Sequence, residues 1–440
     1  GLLFASLPRT QYPVEAASIR SEAAFANAVR FRETFGLDTD HAVVEQSLAD
    51  EVRFPDETWG VPLAESEAQE LGRRVDRRAA MGPALQYAHE QPDFAGVAFD
   101  QRDGGRATFW FTDDIAAHRE RLEALAPSGQ EIRVSSARYT EAHLLSVQAA
   151  ITKDFAQLIE AGIPVQTVGV EPKKNAVVVS LRSARDGAEK SLRELYGPTV
   201  ETDVIGGLSE DSCSSTTNCG YDADDNPNEP WKGGIRIIQT SNLHFCTSTL
   251  LARKGSNLVM ITAGHCLANN GGSGPNWKHH GQIIGNALGD TIVSGASQAD
   301  VGWIDIDNGS GVTPRNKFFV GAPPSQVRSA TDFYYNSEQE EGDVVCRIGT
   351  TSGYLCGVID GTNIDKSSVD GHEVLHLWRT NFDASEGDSG GTMFFGPTLM
   401  GIHADSKTDV DPPTDGHSWY TTAWRAQDEA GIDFCFTSGC

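Results

Sequence analysis

Cysteine is missing from residues 1–212 of this 440-residue chain, and all eight cysteines follow: Cys213, Cys219, Cys246, Cys266, Cys346, Cys356, Cys435 and Cys440. None of them has the CxxC spacing of a zinc site, and no metal or cofactor is expected. Runs of about 20 apolar residues are also absent, so no membrane-spanning helix is expected. Basic runs are absent from both halves. Residues 1–204 hold 22 Lys/Arg against 32 Asp/Glu, and residues 205–440 hold 13 against 29. A net charge of −26 repels phosphate backbones, which argues against nucleic acid as a partner.

The composition that is present points to a secreted protein of two or three domains. Hydrophobic residues make up 39%, enough for real cores. An even, clustered set of cysteines implies disulfides and an oxidising compartment. Gly1-Leu2-Leu3-Phe4-Ala5 is compatible with the tail of a removed signal peptide.

The first half reads as α+β. Residues 14–53 and 64–90 carry apolar residues at helical spacing, with Gly36 as a stop. A pattern then occurs twice. Gly96–Asp100 and Ala107–Phe111 form a hairpin, followed by a helix over 113–126 and a strand over 131–134. Val168–Glu171 and Ala176–Leu181 repeat it, with a helix over 187–196 and a strand over 199–204. One long helix over 140–161 is expected between the copies. His89 and His118 stand alone and read as surface histidines. Residues 205–234 are rich in Ser, Asp and Asn and read as an exposed acidic linker, in which Cys213–Cys219 closes a small ring.

From residue 235 the pattern is many short strands separated by Gly, Asn, Ser and Pro, which argues for a barrel or sandwich. Three segments there carry chemistry. In Glu386-Gly387-Asp388-Ser389-Gly390-Gly391 a serine sits among glycines, where the N–H groups of Gly387 and Ser389 could hold an oxyanion. His265, in Ile261-Thr262-Ala263-Gly264-His265-Cys266, follows a strand and is pinned by a Cys246–Cys266 bridge across a hairpin, as a general base requires. Asp300 lies at the mouth of the apolar strand Val301–Ile304 and is placed to orient His265. Asp290, Asp305 and Asp307 compete for that role.

The segments Thr262-Ala263-Gly264-His265-Cys266 and Gly387-Asp388-Ser389-Gly390-Gly391 resemble the signatures of chymotrypsin-like serine proteases. Cys346-Arg347-Ile348-Gly349 through Tyr354-Leu355-Cys356 is similar to the short disulfide loop of the bacterial branch, the streptogrisins and α-lytic protease. Val170-Glu171-Pro172-Lys173-Lys174-Asn175 resembles a hairpin of their pro-region. The resemblance implies an all-β double six-stranded barrel protease domain at 235–440. An α+β pro-region at 1–204 precedes it, with a linker at 205–234 carrying the processing site. It further implies a monomeric serine endopeptidase acting on polypeptides through His265, Asp300 and Ser389. The pro-region would be its folding aid and inhibitor, and Cys346–Cys356 a disulfide. One cysteine pair of the streptogrisin pattern is missing, since Asp383 stands where one partner would be, and Cys435–Cys440 looks like a substitute staple.

Substrate preference is open at this level. Asp383 lies six residues before the serine, as in trypsin-like enzymes, and would favour Lys or Arg. His403 falls where glutamate-specific relatives carry a histidine, with Ser406 close by, and would favour an acidic residue. Asp383 and His403 could instead pair with each other. Two other readings are a catalytically silent binding protein of the same fold and an esterase of the hydrolase fold. The intact His, Asp and Ser set argues against the first, and the chain order against the second, whose histidine comes last.

Overall fold

A computed structural model describes residues 14–50, 58–210 and 231–436, apart from 242, 269–273, 280, 295–297, 307–315, 321–325, 368–372 and 408–415. Helices Val14–Phe35, His41–Asp50, Glu65–Ala79 and Gly82–His89 open the chain. Strands β1 (Phe94–Asp100) and β2 (Arg106–Phe111) then pair as an antiparallel hairpin, and β3 (Ile132–Ser136) adds parallel to β2 after helix Ile115–Leu125. The unit recurs with β4 (Val165–Glu171), β5 (Ala176–Leu181), helix Ala188–Tyr196 and β6 (Val200–Val204), again with the last strand parallel.

Between the units the expected single helix is two, Glu141–Lys153 and Phe155–Glu160. They meet at Asp154, where the backbone leaves helical geometry (φ −99, ψ 8) and the carboxylate accepts the Tyr196 hydroxyl at 2.8 Å. His118 is buried, not superficial. It stacks on Phe111 at 3.9 Å and bonds Tyr87 Oη at 2.8 Å and Asp93 at 3.0 Å.

The second half holds two larger sheets. Strands β8 (Arg236–Gln239), β9 (Phe245–Thr247), β10 (Leu251–Lys254), β11 (Asn257–Thr262), β12 (Gly274–His279), β13 (Gln282–Asp290) and β14 (Gly302–Asp305) form one, joined by β24 (Asp433–Phe434) at its edge. Strands β15 (Lys317–Val320) and β16 (Gln326–Ser329) make a separate hairpin, and the short β17 (Asp332–Phe333) runs parallel to Thr398 and Leu399. The other large sheet contains β18 (Val344–Gly349), β19 (Gly353–Lys366), β20 (Val374–Thr380), β21 (Thr392–Phe395), β22 (Thr398–Lys407) and β23 (Ser418–Thr422). Its order β18-β21-β22-β23-β20-β19 closes by β18–β19 pairing into a six-stranded antiparallel barrel. A short helix, Thr291–Ser294, follows β13.

The N-terminal half is not a separate body. β4 pairs with β19 at the barrel edge (Asp365↔Val168, Lys366↔Thr167), so the β4-β5-β6 sheet continues the barrel sheet. This explains why β4 and β5 are almost continuously apolar and buried. Phe31, Phe35 and Trp59 share one core cluster with Cys346, Cys356 and Phe394. The linker also departs from the loop reading. β7 (Leu208–Glu210) is a strand paired antiparallel to β22, because β22 offers it an open edge.

Helix Glu65–Ala79 and the first hairpin grip the loop before β18 by specific bonds. Arg78 makes a two-pronged pair with Asp343 at 2.6 and 2.7 Å, Phe99 N donates to Glu341 O at 2.8 Å, and Gln101 donates to Gly342 O at 3.0 Å. Gly342 has φ +94, and a Cβ there would lie 1.9 Å from Phe99 O. Gly342→Ala is therefore expected to destabilise the chain by about 2–3 kcal/mol, read as a lower urea midpoint.

Candidate active site

The serine loop is shaped by glycines and one buried acid. Gly387 has φ +98, and a Cβ there would meet the Phe245 ring at 2.4 Å. At Gly390, φ +83, a Cβ would meet Thr247 O at 2.1 Å. Only glycine fits at either place. Between them, the Asp388 carboxylate accepts Thr351 N at 2.8 Å and Ser352 N and Ser385 N at 3.0 Å. Its remaining partner is Arg347 from β18, 3.2 Å away, and both side chains are fully buried. Burial works to raise the Asp388 carboxyl. The Arg347 charge and the hydrogen bonds outweigh it and hold the carboxyl below its ordinary range.

Around this anchor the backbone of the loop is stitched to both sheets. Thr247 N donates to Ser389 O at 2.7 Å, Gly390 N to His403 O at 2.8 Å, and His403 N to Gly391 O at 2.9 Å. Thr247 Oγ1 also donates to Gly387 O at 2.7 Å. The N–H groups of Gly387 and Ser389 have no hydrogen-bond partner among the described residues.

His265 approaches from the other sheet. It begins the short helix His265–Ala268 after β11, and the Cys246–Cys266 disulfide ties that helix to β9. Its Nε2 lies 2.8 Å from Ser389 Oγ, and its Nδ1 lies 2.7 Å from Asp300 Oδ2. Asp300 Oδ1 accepts the His265 backbone N–H at 2.9 Å, and Asp300 N donates to Thr421 Oγ1 at 3.2 Å. Burial would raise the Asp300 carboxyl, but the charge and hydrogen bonds of His265 hold it below its usual range. A carboxylate, an imidazole and a hydroxyl thus stand in one line. The imidazole can take the hydroxyl proton, and the carboxylate can stabilise the cation that results. Asp290 is buried at the end of β13, Asp305 is half-buried on β14, and Asp307 lies outside the described residues.

The three residues considered for substrate preference are not gathered in one pocket. Asp383 is ion-paired to Arg30 of helix Val14–Phe35 at 2.6 Å, and its side chain is 30% exposed. His403 is fully buried on β22 behind the serine loop. Ser406 faces Ser209 in the β22–β7 ladder. The Cys346–Cys356 bridge is formed, while Cys213–Cys219 and Cys435–Cys440 each include residues outside the described ones. Sequence reasoning passed over Arg347, although a lone charge in the apolar run Val344-Val345-Cys346-Arg347-Ile348 signals a buried acid partner.

Two buried histidines give the site a pH signature. Burial, then the Arg347 charge, push His403 down to about 3, and burial with His265 pushes His244 down to about 4. Both are neutral when folded and titrate near 6.5 when unfolded, so the unfolded chain binds the extra protons below that pH. Their stabilisation is complete above about pH 6.5 and falls, by up to about 1 kcal/mol per pH unit for each, as pH drops towards 4. Urea midpoints between pH 7 and 4 should show this loss, with a shallower slope in His403→Asn.

No family model matches the chain. Glutamyl endopeptidase 2 of Streptomyces griseus is 25% identical over 163 residues, covering 37% of this chain and 78% of that protein. Serine protease 2 of Streptomyces fradiae is 30% identical over 145 residues, covering 32% of this chain and 75% of that protein. Among solved structures, Thermobifida fusca protease A is 23% identical, with a TM-score of 0.38 over 47% of this chain and 98% of its own. With 30% identity across three-quarters of one relative, and with the closed six-stranded barrel described above, the chain belongs to the bacterial chymotrypsin-like serine proteases and is a serine endopeptidase.

Proposed function

We propose that this chain is the precursor of a secreted, monomeric endopeptidase that cleaves through Ser389, His265 and Asp300. The reading rests on one observation, the imidazole held between carboxylate and hydroxyl at 2.7 and 2.8 Å. Ser389 Oγ attacks the peptide carbonyl while His265 Nε2 takes its proton. Asp300 keeps Nδ1 protonated and the ring aligned. The N–H groups of Gly387 and Ser389 hold the oxyanion, and His265 then protonates the leaving amine. Water resolves the acyl-enzyme by the same route. Ser389→Ala is expected to lower kcat by about 10⁴-fold or more and to abolish fluorophosphonate labelling. Labelling of the Ala variant at the wild-type level would remove Ser389 from the role.

Residues 1–204 are proposed as a pro-region that aids folding and inhibits, 205–234 as a processed linker, and 235–440 as the protease domain. Inhibition is supported by β7, which occupies the β22 edge beside the serine loop. Its antiparallel direction takes the chain from Lys407 past Asp405 towards Ala404, whose carbonyl lies 3.2 Å from Ser389 Oγ. The bonds just after Glu210 are therefore the proposed processing site. Residues 1–210 added as a separate chain should inhibit the processed enzyme, with steady-state peptide cleavage as the readout. Undiminished cleavage at saturating 1–210 would reject the inhibitory role.

For preference at the cleaved bond we propose an acidic residue. His403 lies behind the serine loop within the field of the buried Arg347. Glu210 and Asp211 flank the proposed processing site. The similarity to a protein named glutamyl endopeptidase points the same way. One observation favours a basic residue instead: Asp383 already accepts a guanidinium, that of Arg30. Digestion of a peptide library with mass spectrometry separates them. Cuts after Glu or Asp that weaken in His403→Asn support the first, and cuts after Arg or Lys that weaken in Asp383→Asn support the second.

A further inference from the structure

β22 contains a bulge at the point nearest the serine. In its pairing with β23, His403 faces Tyr420 and Asp405 faces Trp419, so Ala404 is the extra residue. A bulge breaks the ladder locally and leaves the strand direction to be set by other contacts. Here those contacts matter. Ala404 O lies 3.2 Å from Ser389 Oγ, and Asp405, Ser406 and Lys407 are the residues that pair with Glu210, Ser209 and Leu208.

The side chain that reaches this bulge comes from another strand. Lys366, the last residue of β19, places Nζ 2.6 Å from Asp405 Oδ1. The lysine side chain is 11% exposed and the aspartate 1%. Two charges removed from water in this way depend on each other, since loss of one leaves the other buried and uncompensated. In the precursor Lys366 is also fixed from the N-terminal half. It pairs with Thr167 of β4, and the next residue, Ser367, donates its N–H to Gln166 O at 2.9 Å and its hydroxyl to Val165 O at 2.6 Å. On its other side the Asp365 carboxylate accepts Thr152 Oγ1 at 2.6 Å and Gln148 Nε2 at 3.1 Å.

We propose that Lys366 is a positioning residue for peptide hydrolysis: by holding Asp405 from across the barrel it sets the bulged edge of β22 that receives the substrate chain. The inference rests on β22 being the substrate edge, as proposed above. It deepens that reading by naming what keeps the edge in place. Burial works against ionisation of Asp300; His265 first, and this ammonium after it, keep the carboxyl ionised. Loss of the pair should thus act first on extended substrates, which use Asp405 and Ser406, and less on substrates that reach only the serine and its pocket.

The test compares kcat/KM for a tetrapeptide anilide with kcat/KM for the single-residue anilide of the same terminal residue. The enzyme is produced from the full chain as wild type, Lys366→Met, Asp405→Asn and Lys366→Arg. Wild type should favour the tetrapeptide. In Lys366→Met and Asp405→Asn that advantage should fall by about tenfold to a hundredfold, mainly through KM, and Lys366→Arg should restore most of it. If wild type itself has no advantage with the longer substrate, the substrate-edge reading fails. If it has one and both variants keep it, the role given to Lys366 fails. Should a variant yield no active enzyme, hydrogen exchange of the full chain carrying Ser389→Ala decides. Faster exchange confined to 404–407 and 208–210 supports positioning. Unchanged exchange there, or loss of protection extending to β1 and β2, overturns it.

Discussion

Ser389 and His265 are supplied by different sheets, so their 2.8 Å contact depends on how those sheets are held together. The Thr247, Gly390 and His403 backbone bonds tie the serine loop to β9 on one side and β22 on the other. Asp388 fixes the loop from within, by accepting three backbone donors while its charge faces the Arg347 guanidinium at 3.2 Å. A buried carboxylate with fewer partners would be costly and would move or become protonated. The glycines at 387 and 390 are the backbone counterpart of this anchor, because any Cβ there would strike β9 or the residues beside it.

The N-terminal half grips mainly one of the two sheets. Arg30, Arg78 and Lys173 meet Asp383, Asp343 and Glu341, all between residues 341 and 383, while β4 extends the barrel through β19. The carboxylates of these pairs are buried or half-buried while Lys173 is exposed, and such pairs confer register more than net stability. Asp343 and Glu341 illustrate the cost. Burial raises both carboxyls despite the cations beside them. These pairs act beside an apolar contact, since Phe31, Phe35 and Trp59 share a core cluster with Cys346, Cys356 and Phe394.

Much of this was legible along the chain because it is local. Glycine spacing around Ser389 encodes a tight loop. The run Ile261–Cys266 encodes a strand, a turn and a tether. The two hairpin-helix-strand units are visible because period-2 and helical patterns alternate within about forty residues. Where the chain pattern and the fold part, the partners lie far off in sequence. The break between the two helices falls at Asp154, whose carboxylate accepts the hydroxyl of Tyr196, 42 residues away. Leu208–Glu210 becomes a strand because β22, nearly 200 residues on, has an edge to offer.

What the sequence determined by itself was the chemistry available: a serine in a flexible loop, a tethered histidine, an acid at a strand mouth and cysteines that imply an oxidising medium. The tertiary structure decided which of these meet. It set Asp300 against His265, gave Asp383 to Arg30 and not to His403, and brought Lys366 onto Asp405. The physical reason is range. Turn and strand propensities act over a few residues, whereas the partner of a charge is fixed only when strands distant in sequence close the barrel and exclude water.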